Sequence, residues 1–244
     1  MPLVPKHIRN LQTYTPGKNI YDLNKSHGLN KVIKLASNEN PFGSSPLALN
    51  AIKESLKQNF RYPDANAILL RQKLADNFNL NIKNVTVGSG SEGIMSAIMR
   101  TFLNKDDEII GAMHSFIGFK VLAMASGNYI NWVPLRKYHY DLERMVSFIN
   151  DYTKLIYLAN PDNPTGTYFN ISEFNNFMNK VPERVLVILD EAYFEYSEHI
   201  KDYPDSMHYR YDNVITLRTF SKVHGLAGLR VGYGFAHEDL IYNL

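Results

Sequence analysis

Residues 214–233 read VITLRTFSKVHGLAGLRVGY. The β-branched opening, Val214 and Ile215 with Leu217, predicts a short buried strand, and Gly225 and Gly228 predict a turn where the backbone passes close to another part of the chain. Lys222 lies between the two. An amine held among apolar neighbours loses solvation of its charged form, which favours the neutral, nucleophilic state able to form a Schiff base with an aldehyde cofactor. Thr219 and Ser221 place hydroxyls just ahead of it and Arg230 places a guanidinium behind, a set suited to a phosphate.

Working outward, short apolar runs alternate with helical spacing from Val85 onward. Strands are expected at 85–88, 108–112, 129–135, 155–159, 185–189, 214–217 and 231–235. Seven strands with helices between them predict an α/β fold, a seven-stranded, mainly parallel sheet flanked by helices. In such sheets ligands gather beyond the carboxyl ends of the strands. The polar motifs fall there. VTVGSGSEGIMSAIMRTF, residues 85–102, runs from strand through a glycine turn into a helix beginning near Ser91, where Gly88 and Gly90 would let backbone amides face an anion. Its glycine pattern matches neither the Walker A nor the dinucleotide fingerprint, and a plain strand-to-helix turn remains open. HSFIGF puts Phe116 at the same edge, as a packing residue or a stacking surface. YLANPDNPTGTYF places Asn160, Asp162 and Asn163 after a buried strand, with a turn at 163–166. VLVILDEAYFEY carries five apolar residues into Asp190. A carboxylate at the tip of a core strand is costly without a partner, and either a following turn or a protonated pyridine nitrogen would supply one, with Tyr193 beside it.

Before Val85 the chain is less regular. Residues 1–45 read as an arm, polar with scattered Pro and Gly and a weak strand signal at 32–35. NENPFGSSP, residues 38–46, is a turn leading into a helix with Leu47, Ile52 and Leu56 in register and Ser44 or Ser45 as cap. RYPDANAILLRQKLADNF, residues 61–78, predicts a turn and a second helix with Ile68, Leu69, Leu74 and Phe78 inward. Residues 46–244 read as one domain, without repeats or linkers after Val85.

Composition narrows the classes. The 244 residues are 45% hydrophobic, enough for a real core, and 26 Lys plus Arg against 24 Asp plus Glu leave a net charge of +2. That balance gives no support for a nucleic-acid partner. There is no cysteine, which excludes disulfides and thiolate metal sites. MPLVPKHIRN lacks the long apolar core of a leader, and no run reaches the ~20 apolar residues that span a bilayer. A soluble, cytoplasmic protein with no membrane partner is the expectation.

NPDNPTG, DEAY and TFSKVHGLAGLRVGY, in this order, resemble the pyridoxal-phosphate aminotransferases of fold type I (class I/II), and most of all the histidinol-phosphate aminotransferases. IRNLQTY, KLASNENPFG, RYPD and GSGSEGIMSAIMRTF extend the likeness over nearly the whole chain. The resemblance implies that Lys222 bonds pyridoxal 5′-phosphate covalently and then moves a proton, and that Asp190 keeps the pyridine nitrogen protonated. It further implies that Asn163 and Tyr193 bond the ring oxygen, that Phe116 stacks on the ring, and that Ser91, Glu92, Thr219, Ser221 and Arg230 hold the phosphate. Tyr62 would reach the phosphate of a neighbouring subunit, implying a homodimer, and Tyr14 and Asn40 match positions near the amino-acid and keto-acid substrates. No metal is implied. Glu92 is followed by Gly93 where the family commonly has a second acid, and Phe116 stands where tyrosine is frequent. Family members continue past the equivalent of Leu244 into a small domain with a carboxylate-binding arginine; the expectation here is a large domain with that part missing or truncated. The implied reaction is histidinol-phosphate:2-oxoglutarate amino transfer in histidine biosynthesis. An aromatic aminotransferase, a threonine-phosphate decarboxylase, or a cofactor-binding fragment without turnover would carry the same motifs.

Overall fold

The computed structural model describes residues 3–11, 33–206 and 211–244. Tyr14 lies outside the described residues. The strands are β1 (Val85–Gly88), β2 (Glu108–Ala112), β3 (Tyr129–Val133), β4 (Thr153–Ala159), β5 (Leu186–Asp190), β6 (Val214–Thr219) and β7 (Gly232–Phe235). They form one seven-stranded sheet in the order β1-β7-β6-β5-β4-β2-β3. The block from β3 to β6 is parallel, and β7 runs antiparallel to both β1 and β6. The mainly parallel seven-stranded sheet is therefore as expected.

The helices, in chain order, are α1 (Lys6–Arg9), α2 (Pro46–Ser55), α3 (Ile68–Asn77), α4 (Gly90–Phe102), α5 (Ile117–Ser126), α6 (Leu142–Ser147), α7 (Ile171–Met178) and α8 (Glu238–Tyr242). α4 to α7 connect successive strands from β1 to β5 and cover both faces of the sheet. Side chains alternate along a strand. On β4 and β5, Ile156, Leu158, Val187 and Leu189 accordingly pack with Met145 of α6 and Phe174 and Phe177 of α7. Their neighbours Leu155, Tyr157, Leu186 and Ile188 pack with Ile94, Met95 and Ile98 of α4 and Phe119 of α5 on the other face. A sheet buried on both sides needs continuous apolar runs instead of alternation, which is why these strands stand out in the sequence.

Several ends differ from the expectation. β5 extends through Asp190 and β6 through Thr219, because the backbone ladder continues past the last apolar side chain: Ala159 pairs with Asp190 and Asp190 with Leu217. β3 stops at Val133, since Pro134 has no amide proton to extend the ladder. α2 starts after Ser45, but Ser45 makes no side-chain capping bond; the hydroxyl of Ser44 instead donates to the carbonyl of Gly225 at 2.6 Å. α2 buries none of its residues. On α3, Leu74 is buried, whereas Ile68 and Leu69 are exposed. Leu70 packs with Leu74 and Phe78 in their place, because positions four apart share a helix face and Leu69 falls on another. The weak strand signal before residue 36 gives no strand among the described residues 33–35.

Two glycines near Lys222 were expected to mark a close approach. Gly225, at φ +66, meets it, as a methyl there would overlap the carbonyl of Gly43; Gly228 does not, with nothing within 4 Å of an added methyl. A second approach, nearly as close, occurs at Gly232, where a methyl would overlap the backbone of Gly90 and Ser91 at the start of α4. Gly232→Ala is therefore expected to cost about 1–3 kcal/mol, the usual range for overpacking, as a lower urea midpoint, while Gly228→Ala stays near wild type. An equal response of the two variants would show that backbone contact is not what demands glycine at 232.

Candidate active site

β4, β5 and β6 end at one edge of the sheet, and the loops leaving them enclose a cavity. Ten residues singled out in the sequence line it together: Ser91, Glu92, Phe116, Asn163, Asp190, Tyr193, Thr219, Ser221, Lys222 and Arg230. They come from six separate segments.

One end of the cavity is built around an acid. Asp190 is 4% exposed. Its Oδ2 accepts a hydrogen bond from the Tyr157 hydroxyl at 2.8 Å and its Oδ1 accepts from the amide of Ala192 at 3.1 Å. Burial pushes its carboxyl pKa up to about 6, although both hydrogen bonds and the nearby Lys222 charge favour ionisation. The turn bond to Ala192 thus satisfies one oxygen without offsetting the loss of water around the charge. Nζ of Lys222 donates to the carbonyl of Ser37 at 3.0 Å and lies 5.4 Å from the centre of the Tyr193 ring. Tyr193 in turn accepts from Nδ2 of Asn38 at 2.9 Å. Burial raises the pKa of the Tyr193 hydroxyl, so it remains a protonated donor at neutral pH.

The other end is arranged for an anion. α4 begins at Gly90, and Ser89 in the capping position makes no side-chain capping bond, so the first-turn amides of Ser91 and Glu92 have no side chain closing them off. Unpaired amides at the positive end of a 13-residue helix favour negative charge. Gly90 has φ +73, and an added methyl would sit 2.6 Å from Nη2 of Arg230: the guanidinium lies directly over the glycine. Arg230 itself is in the left-handed region at φ 54, which turns its side chain back toward Ser221, 3.4 Å from Nη1. The Thr219 hydroxyl donates to Oγ of Ser221 at 3.0 Å and accepts from the amide of Ser221 at 3.1 Å.

Asn160 and Asp162 support the walls from behind. Asn160 is fully buried and its amide pairs with both backbone groups of Phe169. Asp162 accepts from the hydroxyls of Ser115 at 2.5 Å and Thr165 at 2.8 Å, and Ser115 also bonds the hydroxyl of Tyr140. This ties the loop carrying Phe116 to the loop carrying Asn163.

Two expected positions among the described residues fall outside the cavity wall. Tyr62 is fully exposed. Asn40 uses its amide on the backbone, donating to the carbonyl of Val223 at 2.7 Å and accepting from the amide of Phe42 at 2.9 Å; it braces the residue after Lys222. Tyr14 is not among the described residues. Conversely, Tyr157, Ala159, Pro161 and Ala192 line the cavity without having been singled out. Tyr157 was detectable: two residues before Ala159 on a strand that points at the site, it faces the same side, but its place in an apolar run hid its hydroxyl.

The family described as Aminotransferase class I and II matches residues 30–244. Among curated relatives, the chain is 42% identical over 244 residues to histidinol-phosphate aminotransferase of Anaeromyxobacter sp. (strain Fw109-5), covering 99% of this chain and 67% of that one. It is 45% identical over 237 residues to histidinol-phosphate aminotransferase 2 of Hydrogenovibrio crunogenus, covering 96% and 63%. The fold superposes on the histidinol-phosphate aminotransferase of Sinorhizobium meliloti, solved in complex with pyridoxal-5'-phosphate, with TM-score 0.87 at 28% identity, covering 99% of this chain and 65% of that one. The chain thus spans about two thirds of the length of these relatives. With the family match running over most of its residues and the cavity motifs in family order, the chain belongs to the class I and II aminotransferases.

Proposed function

We propose that this chain is the cofactor domain of a pyridoxal-phosphate-dependent histidinol-phosphate aminotransferase. The observation that carries the reading is a buried carboxylate, an amine and a helix-end anion nest facing one cavity. The residues fit the cofactor chemically. Asp190 gains from a cation placed against it, since burial has raised its pKa, and a protonated pyridine nitrogen is such a cation. A phosphate suits the amides of Ser91 and Glu92 with Thr219, Ser221 and Arg230. Phe116 offers a ring for stacking, and Asn163 and Tyr193 offer donors to the ring oxygen.

When bound, pyridoxal 5′-phosphate supplies an electron-withdrawing ring that makes the Cα–H bond of an amino acid acidic. Lys222 would supply the amine that holds the cofactor and, when free, would serve as the base that takes the proton from the substrate Cα and as the acid that gives it back there in the reverse half of the exchange. Asp190 holds the proton on the ring nitrogen, and the neutral Tyr193 hydroxyl donates to the ring oxygen.

In this reading residues 1–45 are an arm and residues 46–244 the domain that holds the cofactor, with Tyr14 and Asn40 near the substrate. The full exposure of Tyr62 agrees with a role toward the phosphate of a second subunit in a homodimer. The names of the relatives and their identity of 42% and 45% support histidinol phosphate as a substrate; 2-oxoglutarate as the other member of the amino exchange and a cytoplasmic location belong to the same proposal. Assaying the protein with histidinol phosphate, aromatic amino acids and phosphothreonine in parallel tests this choice; preference for either of the latter two would replace it.

Borohydride reduction of the cofactor-loaded protein is expected to fix the added mass on the peptide carrying Lys222, and Lys222→Ala to abolish it. Label on Lys120 or Lys201 would falsify the assignment. Asp190 makes a second test, in the cofactor-free protein. Its folded pKa is raised, so the folded state keeps its proton to higher pH than the unfolded chain. The stability this confers is complete below the ordinary carboxylate pKa and lost as pH rises through about 6. Asp190→Asn is thus expected to be more stable than wild type at pH 8, by up to about 3 kcal/mol, with about half of that gap left at pH 5 and little of it below about pH 4, in urea titrations across that range. A pH-independent gap would show that the charge is not the cause.

A further inference from the structure

We propose that Tyr157 is a positioning residue that acts through Asp190: its hydroxyl holds Oδ2 of the carboxylate so that the acid meets the cofactor ring charged and in a single orientation. The inference rests on the cofactor reading above and deepens it.

The pair is built with unusual support on the tyrosine side. Tyr157 is fully buried, and its ring stacks on that of Phe119 at 3.9 Å with 9° between planes. The edge of Trp132 in turn meets Phe119 at 6.4 Å and 82°. The tyrosine ring therefore has little rotational freedom, and its hydroxyl ends 2.8 Å from Oδ2 of Asp190. Because β4 and β5 are parallel and in register from Leu155 with Leu186 to Ala159 with Asp190, Tyr157 stands opposite Ile188, one inward-facing position behind the acid. A long side chain bridges that diagonal; a short one does not.

The chemistry of the pair follows from what surrounds it. The ionisable groups facing Asp190 are Tyr157 from β4, Asp162 from the loop after β4, Lys222 from the loop after β6, Tyr140 from before α6, and Tyr193 and Tyr203 after β5. Asp162 opposes ionisation of Asp190, and Lys222 favours it. Burial, followed by the adjacent acid, raises the Tyr157 hydroxyl well above its ordinary pKa, so it does not compete for negative charge and serves as a fixed donor. A donor to the ionised form of an acid favours that form. When Lys222 is drawn into bonding with the cofactor, the hydroxyl of Tyr157 and the amide of Ala192 remain as the two groups holding the carboxylate. Each carboxylate oxygen accepts more than one hydrogen bond, so the donor from Tyr157 leaves capacity toward the cavity.

Tyr157→Phe keeps the stacked ring and removes the donor. In cofactor-free protein labelled with ¹³C at aspartate carboxyls, with Asp190→Asn identifying the signal, the titration of Asp190 is expected to move up by about one pH unit. In protein loaded with ¹⁵N-pyridoxal phosphate, the ring nitrogen of the variant is expected to lose its proton at a lower pH than in wild type, and the cofactor dissociation constant to rise about tenfold. In the Asp190→Asn background the same substitution should leave cofactor affinity unchanged, because its effect passes through the acid. If Tyr157→Phe folds poorly, Phe119→Leu loosens the stacked ring while keeping the hydroxyl, and should give a smaller shift in the same direction. An unmoved Asp190 titration in the variant, or an equal loss of affinity with and without Asp190, would overturn the proposal. Failure of wild type to bind pyridoxal phosphate at all would sink the cofactor reading and the ring role with it, and is recognisable because the Asp190 shift in the free protein would still be present.

Discussion

Ala159 pairs with Asp190, and Asp190 with Leu217, across three parallel strands, and the site depends on that register. Strand side chains alternate, so a slip of one residue would turn Asp190 into the opposite layer and replace Thr219 by Arg218 at the cavity. The apolar residues on both faces prevent the slip, because Leu155, Leu186 and Ile215 have their places against α4 and α5 while Ile156, Val187 and Val214 have theirs against α6 and α7. Core packing thereby sets the position of the carboxylate.

The neighbouring acid shows what the register separates. Glu191 and Arg218 are almost wholly buried on the other side, joined at 2.7 Å, with Asp205 at 3.0 Å from the same guanidinium, which also lies 3.4 Å over the Phe194 ring. That cluster compensates charge with charge, and removing one member of such a group costs about 3–5 kcal/mol. Asp190 has hydrogen bonds and a more distant amine in place of a contact ion pair, and its pKa is raised to about 6. Two adjacent carboxylates thus differ in kind: one is closed within the protein, the other kept open toward a cavity.

The segment 33–45 closes part of the same region. Ser37 and Asn38 both have positive φ, which points the Ser37 carbonyl at Lys222 and the Asn38 amide at Tyr193. Asn40 and Ser44 hold the turn after Lys222 through the carbonyls of Val223 and Gly225. The lysine loop is therefore fastened by a part of the chain more than 180 residues away in sequence.

What could be read without coordinates was what periodicity and punctuation encode. Seven apolar runs gave seven strands, and the polar residues at their ends, Asp190, Thr219, Lys222 and Asn163, lined the cavity because a parallel sheet brings strand ends to one edge. By itself the sequence determined the class of sheet, the family motifs and their order, since these depend on local pattern. The tertiary structure decided what depends on neighbours distant in the chain: that Leu69 faces outward and Leu70 inward, that Gly232 and not Gly228 meets another backbone, that Asn40 braces a loop, and that an apolar-looking Tyr157 spends its hydroxyl on Asp190. Those outcomes follow from register and close approach, and neither leaves a mark on a single strand or turn read alone.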